Sequence, residues 1–323
     1  MQPNYIQELG NIAIASRLKQ FTDLLIRDMV TVYKKNNVDF EPRWFTTVHL
    51  LKEAGQLSIT EISRKLNQSH VAINQVANAL EKNNLIKSSK DNLDSRKRLI
   101  NLSKNGLKLA DNIQPLWVAV KEAVDELMAE AGCNILDDIS KIENQLIQKS
   151  MKERILDKID QEILKDLKII PYKPVLKHTF IELNLEWLEK YFEVELYDRK
   201  LLFNPDEEII NKGGHILLAD YKGQIIGTAA ILKVNSSQCE LTKMTVTEKY
   251  QGHKVGAKIL SAMIDLAIKQ GYKKMTLLTS PKLIYAIKLY KSFGFKESHT
   301  SSILMNEISR PSILFELELS KIN

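Results

Sequence analysis

Apolar residues recur at mixed three- and four-residue spacings from Ile6 to Val32, through Leu9, Ile12, Ile14, Leu18, Phe21, Leu24, Leu25 and Met29. That period predicts one long helix with a broad apolar face. It returns over Leu107–Met128 and Ile135–Ile147, interrupted by Gly132 and Asn134, with Pro115 where a helix starts or kinks. The segment Lys149–Lys168 is highly charged with Ile and Leu at helical spacing and reads as a connecting helix, ended by Pro171 and Pro174. Beyond Pro174 the pattern becomes mixed. A helix is predicted over Leu183–Leu196, then strands over His215–Asp220, Ile225–Lys233 and Glu240–Val246, with turns at Lys222-Gly223 and Asn235-Ser236-Ser237. A helix over Val255–Gln270, a strand over Lys273–Thr279, a helix over Leu283–Ser292 and a last strand over Ile313–Leu319 follow.

Two domains are therefore expected: a mainly α domain over 1–150, a helical linker over 151–172, and an α/β domain (α+β, with a mixed sheet) over 173–323. A chain of 323 residues with 44% apolar content is long enough for two separate cores. No apolar run reaches the roughly 18 residues that span a bilayer, and the first residues lack a secretory leader pattern. Two distant cysteines, Cys133 and Cys239, form neither a disulfide framework nor a metal-ligand spacing, so no metal and a cytoplasmic location are expected.

Charge sharpens the picture locally. Ten Lys and Arg face four Asp and Glu between Leu57 and Lys108, so this stretch carries +6, equal to the net charge of the whole chain. Within it, Leu57–Leu66 and Ser69–Lys82 read as two short helices around Asn67-Gln68, the second capped by Ser69. Val71, Val76, Ala79 and Leu80 are expected to face inward. Ser69, His70, Asn74, Gln75 and Asn78 are left to face a DNA major groove, where Asn and Gln match adenine edges. Leu85–Ser88 and Arg98–Leu102 alternate as strands, and their basic connection, with Arg96 and Lys97, reads as a wing that touches phosphate or the minor groove. The competing reading is a solvated basic hairpin.

The runs Leu80-Glu81-Lys82-Asn83-Asn84-Leu85-Ile86, Asp94-Ser95-Arg96 and Leu102-Ser103-Lys104-Asn105-Gly106 resemble the MarR family of winged helix-turn-helix regulators over roughly Ile6–Leu146. Asn84 stands for the usual Gly and Ser103 for the usual Thr. The resemblance implies double-stranded DNA as partner and a homodimer whose first and last helices interlock.

In the second domain, Glu240–Val246 followed by Lys249-Tyr250-Gln251-Gly252-His253-Lys254-Val255-Gly256-Ala257-Lys258 reads as a strand, a turn of small residues and a helix start. Backbone N–H groups and the helix dipole there form an anion cradle. The run resembles the pyrophosphate loop of the GNAT superfamily of N-acetyltransferases, with Lys254 in place of the middle glycine. Ala286-Ile287-Lys288-Leu289-Tyr290-Lys291-Ser292-Phe293-Gly294-Phe295 resembles that family's turn near the CoA thiol, with Leu283 where an Asn is common. The resemblance spans Lys173–Leu319. It implies acetyl-CoA as cosubstrate, bound by Met244, Val246, Gln251, Gly252, Lys254, Val255, Gly256 and Ala257. It also implies Glu240 as general base, the Met244 N–H on the thioester carbonyl, and Tyr290 as proton donor to the thiolate. Glu240 is equally readable as a structural carboxylate, and strand alternation is expected to put Glu240, Thr242, Met244 and Val246 on one face. Asn184, Glu186, Trp187 and Glu195 are the candidates to line an acceptor-amine pocket. The expected function joins transcriptional regulation with direct acetyl transfer to an amine of a small molecule or protein. The alternative is a DNA-binding regulator whose second domain only senses acetyl-CoA.

Overall fold

The computed structural model describes residues 4–90, 97–298 and 311–321. The chain divides after Ile139 into two compact units. The first contains α1 (Tyr5–Glu8), α2 (Ile14–Lys35), α3 (Phe45–Ala54), β1 (Leu57–Ser58), α4 (Ile59–Leu66), α5 (His70–Lys82), β2 (Ile86–Lys90), β3 (Arg98–Leu102) and α6 (Lys104–Ala131). The next helix, α7 (Ile135–Gln148), runs across the division. The three strands form an antiparallel sheet in the order β1-β3-β2. Tyr33, Trp44, Ile62, Ile73, Leu80, Ile100 and Ile113 form its core.

Local chemistry sets the turns of this unit. Ser58 and Glu61 close a capping box at the start of α4, and Asn67 ends that helix in the left-handed conformation. Ser69 then caps α5 by accepting from the Ala72 N–H at 3.1 Å. After β3, Ser103 caps α6 through the Gly106 N–H at 3.0 Å and donates to the Asn84 carbonyl at 2.7 Å. Asn84 takes φ +56, the conformation a glycine adopts freely. Gly106 cannot be replaced without movement, since a Cβ there would lie 2.0 Å from the Leu85 carbonyl oxygen.

The long helices of this unit carry two further features. The apolar period from Ile6 is broken at Gly10 (φ +60), and α2 buries only Tyr33 while Ile14, Leu18, Leu24, Leu25, Ile26 and Val32 stay exposed. Pro115 sits inside α6, which continues on both sides of it.

The second unit contains α8 (Met151–Asp166), β4 (Leu167–Pro171), α9 (Lys177–Tyr191), α10 (Leu196–Phe203), β5 (His215–Tyr221), β6 (Gln224–Lys233), β7 (Gln238–Val246), α11 (Val255–Lys269), β8 (Lys274–Thr279), α12 (Ile284–Ser292), β9 (Lys296–Ser298) and β10 (Ile313–Glu318). Its sheet has the order β4-β5-β6-β7-β8-β10-β9, antiparallel except for the β7–β8 pair. One face packs under α11 through Ile231, Leu241, Ile259, Met263, Met275 and Phe315. The other packs under α9 and α10 through Phe180, Leu188, Leu202, Ile216, Leu218 and Ala230. The charged segment read as a connecting helix ends at Asp166, and Leu167–Pro171 then adds an edge strand; Ile163 and Leu167 are buried in the core under α11. The helix expected over Leu183–Leu196 resolves into α9 and α10, separated between Phe192 and Glu195. Among the described residues no helix is long and apolar enough to cross a membrane.

Candidate functional site

The parallel strands β7 and β8 pair only from Gln238↔Lys274 to Leu241↔Leu277, although β7 runs on to Val246 and β8 to Thr279. The cause lies in β7. Its register against β6 shifts between Thr228 and Ala230, and Lys243 takes φ +50. A bulge of this kind bends the strand and ends its pairing, so the two strands part into a wedge at their C-terminal ends.

The bulge also changes which side chains share a face. Leu241 lies opposite Ile231 and packs under α11, whereas Glu240 lies opposite Leu232 and Thr242 opposite Ala230, both on the α9–α10 side. Beyond the bulge, Met244 and Val246 return to the α11 side. The expected single face holding Glu240, Thr242, Met244 and Val246 is therefore corrected: one inserted residue reverses the alternation. Lys243 points toward α10, with its Nζ paired to the Asp198 Oδ1 and 5.9 Å from the Tyr197 ring centre.

The mouth of the wedge is built by the start of α11. Lys254 is its N-cap in the left-handed conformation, without a side-chain cap bond. The first-turn N–H groups of Val255, Gly256 and Ala257 have no acceptor within the helix, and the dipole makes this end positive. A Cβ on Gly256 would touch Leu289, Met244 and Val246 at 3.5 to 3.8 Å, so this glycine faces the wedge. Gly252 takes φ +82 with open space around it. The Gln251 amide folds back, donating to the Val246 carbonyl at 2.8 Å. Lys254, expected beside a phosphate, is turned elsewhere: its ammonium meets Asp157 at 2.8 Å and Asp160 at 3.4 Å. Hydrogen bonds from Lys149 first, and then from Lys254, hold the Asp157 carboxyl down to about 2, so it stays charged at neutral pH.

Tyr290 of α12 brings its hydroxyl to 4.0 Å from the Met244 sulfur and packs edge-on against Phe295. Burial pushes its phenol up to about 12, so the proton is present throughout the neutral range. Cys239, also buried, is pushed up to about 12 and is no thiolate nucleophile at neutral pH.

On the α9 side a small hollow is lined by Glu186, Trp187, Lys190, Thr245, Val246 and Gln251, among others. Glu186 accepts from the Thr247 hydroxyl at 3.0 Å, and Lys190 pairs with Glu248 at 2.9 Å, fastening α9 to the turn before α11. Thus Glu186 and Trp187 meet Val246 and Gln251. Asn184 and Glu195 do not join them. Asn184 is fully buried, donating to the Phe180 carbonyl at 2.8 Å, because its position on α9 faces the sheet. Glu195 begins α10, where its N–H donates to Asp198 at 3.3 Å.

In the first unit, α5 exposes Ser69, His70, Val71, Gln75 and Asn78 and half-buries Asn74. Ile73, Ala77 and Leu80 are its buried residues. Val71, expected inside, is 67% exposed, since the inward stripe is set by Ile73 and Ala77. The Asn74 amide donates to the His70 carbonyl at 3.0 Å. Arg98 donates to Asn78 at 2.7 Å, Glu81 at 2.7 Å and Ser88 at 3.0 Å, so it ties α5 to the hairpin. Lys97 is exposed at the start of β3. Arg96 lies outside the described residues.

Residues 179–295 match the acetyltransferase (GNAT) family and residues 41–97 match the MarR family. An uncharacterised N-acetyltransferase of Schizosaccharomyces pombe is 31% identical over 128 residues, covering 36% of this chain and 76% of that one. The chain belongs to the GNAT acetyltransferase family. It carries a MarR domain as well. N-acetyltransferase 8 of Rattus norvegicus is 27% identical over 96 residues, or 28% of this chain and 43% of that protein. Among solved structures, a GNAT acetyltransferase from Staphylococcus aureus is 25% identical and covers 47% of this chain and 99% of that one, with a TM-score of 0.44. A Salmonella typhimurium acetyltransferase solved with its cofactor acetyl-CoA is 19% identical and covers 48% and 95%, with a TM-score of 0.40. Acetyl-CoA is the cosubstrate of the GNAT family.

In the GNAT unit the sequence motifs point to the α11 start and Tyr290, and they miss what side chains from other segments bring there. Asp157 and Asp160 precede the family match, and the Lys243–Asp198 pair joins residues far apart in the chain. In the MarR unit, Arg98 looks from sequence like one more basic residue of the wing; its three partners become visible only once β3 is seated beside α5.

Proposed function

We propose that the GNAT unit binds acetyl-CoA in the wedge between β7 and β8 and passes the acetyl group directly to an amine of a small molecule or protein, while the MarR unit binds double-stranded DNA. The observation that supports it most is the meeting of three features: a length of β7 unpaired on its β8 side, the uncapped start of α11 at its mouth, and the Tyr290 hydroxyl beside Met244. In this reading the N–H groups of Val255, Gly256 and Ala257, with those of Gly252 to Lys254, receive the pyrophosphate. Val246 lies along the pantetheine arm, and the Met244 N–H polarises the thioester carbonyl. The acceptor enters from the α9 side, past Glu186 and Trp187. Glu240, on that same side of β7, takes the proton of the amine through water. As the new C–N bond forms and the C–S bond breaks, Tyr290 delivers a proton to the departing sulfur from the α11 side. Base and acid thus act from opposite faces of one bulged strand.

The test of the cofactor assignment is Gly256→Leu in the full chain. A leucine there meets Leu289, Met244 and Val246, so acetyl-CoA affinity measured by calorimetry should fall at least tenfold while DNA binding is retained. Unchanged affinity sinks the assignment. Thiol release from acetyl-CoA, screened over amino acids, polyamines and peptides, then names the acceptor. Binding without turnover on any acceptor favours the sensing alternative.

For DNA, the reading face is α5, with His70, Val71, Gln75 and Asn78 outward and Ser69 as its cap. Val71 supplies an apolar surface suited to a thymine methyl. The exposed apolar residues of α2, from Ile14 to Val32, suit burial against a second copy, so the DNA-binding form is read as a homodimer. The reading places the protein in the cytoplasm. Lys97→Glu should weaken duplex binding and flatten the slope of log K against log salt by roughly 0.9 for each phosphate that Lys97 neutralises. A variant with the parent's affinity and slope removes Lys97 from the interface.

A further inference from the structure

The turn that opens α11 is gripped from outside the segment that matches the acetyltransferase family. Lys254 meets Asp157 at 2.8 Å and Asp160 at 3.4 Å, and the His253 Nδ1 lies 2.9 Å from the Asp160 Oδ1. Lys258 donates to the carbonyls of Leu164 at 2.8 Å and Leu167 at 2.7 Å, where α8 gives way to β4. Asp157, Asp160 and Leu164 are spaced by three and four residues, which puts them on one side of α8. Asp160 is 4% exposed, and Lys149 shares Asp157. Two carboxylates beside a proposed phosphate site are at first sight the wrong charge, and their cationic partners are already engaged.

The backbone explains why they are there. Lys254 stands where the family pattern has its middle glycine, and it takes φ +59. Glycine adopts that conformation freely; a lysine does not. With no side-chain cap on α11, the turn needs another restraint, and the Lys254 ammonium is held by Asp157 and Asp160. We infer that α8 is part of the cofactor site: Asp157 and Asp160 are positioning residues that hold Lys254 in the left-handed conformation and so aim the N–H groups of the α11 start at the pyrophosphate. A side-chain clamp replaces the freedom of the missing glycine. The inference rests on the reading of that helix start as the pyrophosphate site.

The experiment uses the full chain and calorimetric titration with acetyl-CoA, with thermal unfolding recorded alongside. Asp157→Asn/Asp160→Asn should bind about tenfold more weakly, the size of effect expected when a left-handed lysine loses its restraint. Lys254→Gly alone gives the reference affinity of a turn that keeps every backbone N–H and needs no clamp. Adding Lys254→Gly to the double variant should restore affinity, since a glycine needs no clamp. Tighter binding by the double variant means the carboxylates only repel the phosphates and overturns the inference. So does unchanged affinity, or a loss that Lys254→Gly does not rescue while the unfolding midpoint falls. If the parent itself binds no acetyl-CoA, the assignment of the pyrophosphate site fails first, and this result is separate from indifferent variants on a binding-competent parent.

Discussion

Tyr290→Phe should lower kcat by about 10²–10⁴-fold, the usual contribution of a positioned acid, with acetyl-CoA affinity nearly unchanged. The ring is buried in the core under α11 and packs edge-on against Phe295, so phenylalanine keeps that packing and removes only the hydroxyl. That hydroxyl lies 4.0 Å from the Met244 sulfur, at the place proposed for the departing thiolate. Its acidity is pushed up to about 12 by burial, so the donor stays protonated across the neutral and mildly alkaline range. The rate ratio between parent and variant should therefore be flat from pH 7 to about 9 in steady-state assays. The linkage has a second consequence. A raised phenol favours the folded state fully below the ordinary tyrosine value of about 10, and that contribution is lost as pH rises toward the folded value. Equal kcat in parent and variant would falsify the acid role and leave Tyr290 a packing residue.

The second large effect concerns stability. Lys243 and Asp198 pair with side chains only 6% and 1% exposed. Removing one member of a buried pair strands the other charge, at about 3–5 kcal/mol. Lys243→Met and Asp198→Asn should each destabilise the GNAT unit by amounts of that order. The double replacement Lys243→Met/Asp198→Leu should recover much of the loss, because an apolar pair of similar volume often matches a buried ion pair. Denaturant unfolding followed through a probe in the second unit measures this, since two units need not unfold as one. Additive losses in the double variant would show that the two residues act independently.

Periodic signals carried furthest into the structure. The helix-turn-helix, the central strands, α11 and α12 follow directly from spacing, capping residues and glycine, as Ser69, Asn84 and Gly294 illustrate. What failed did so for identifiable reasons. An apolar helix face is the same pattern whether it meets its own core or another chain, so spacing alone does not say what covers α2. The strand Leu167–Pro171 is too short to show alternation after sixteen helical residues. The bulge at Lys243 inserts one residue without any glycine to announce it, and it inverts every inference from alternation beyond that point. Ion pairs between distant segments, such as Lys254 with Asp157, leave no local trace at all.

Arg98 joins α5 and the hairpin through Asn78, Glu81 and Ser88. An arginine fixed by three partners has few rotamers left to lose, and it passes that stiffness to both elements. Under the DNA-binding proposal, α5 and the hairpin would therefore approach a duplex already set at their mutual angle. Little ordering would remain to oppose association, and discrimination between sequences would fall on how well the duplex itself can bend to fit a stiff reader.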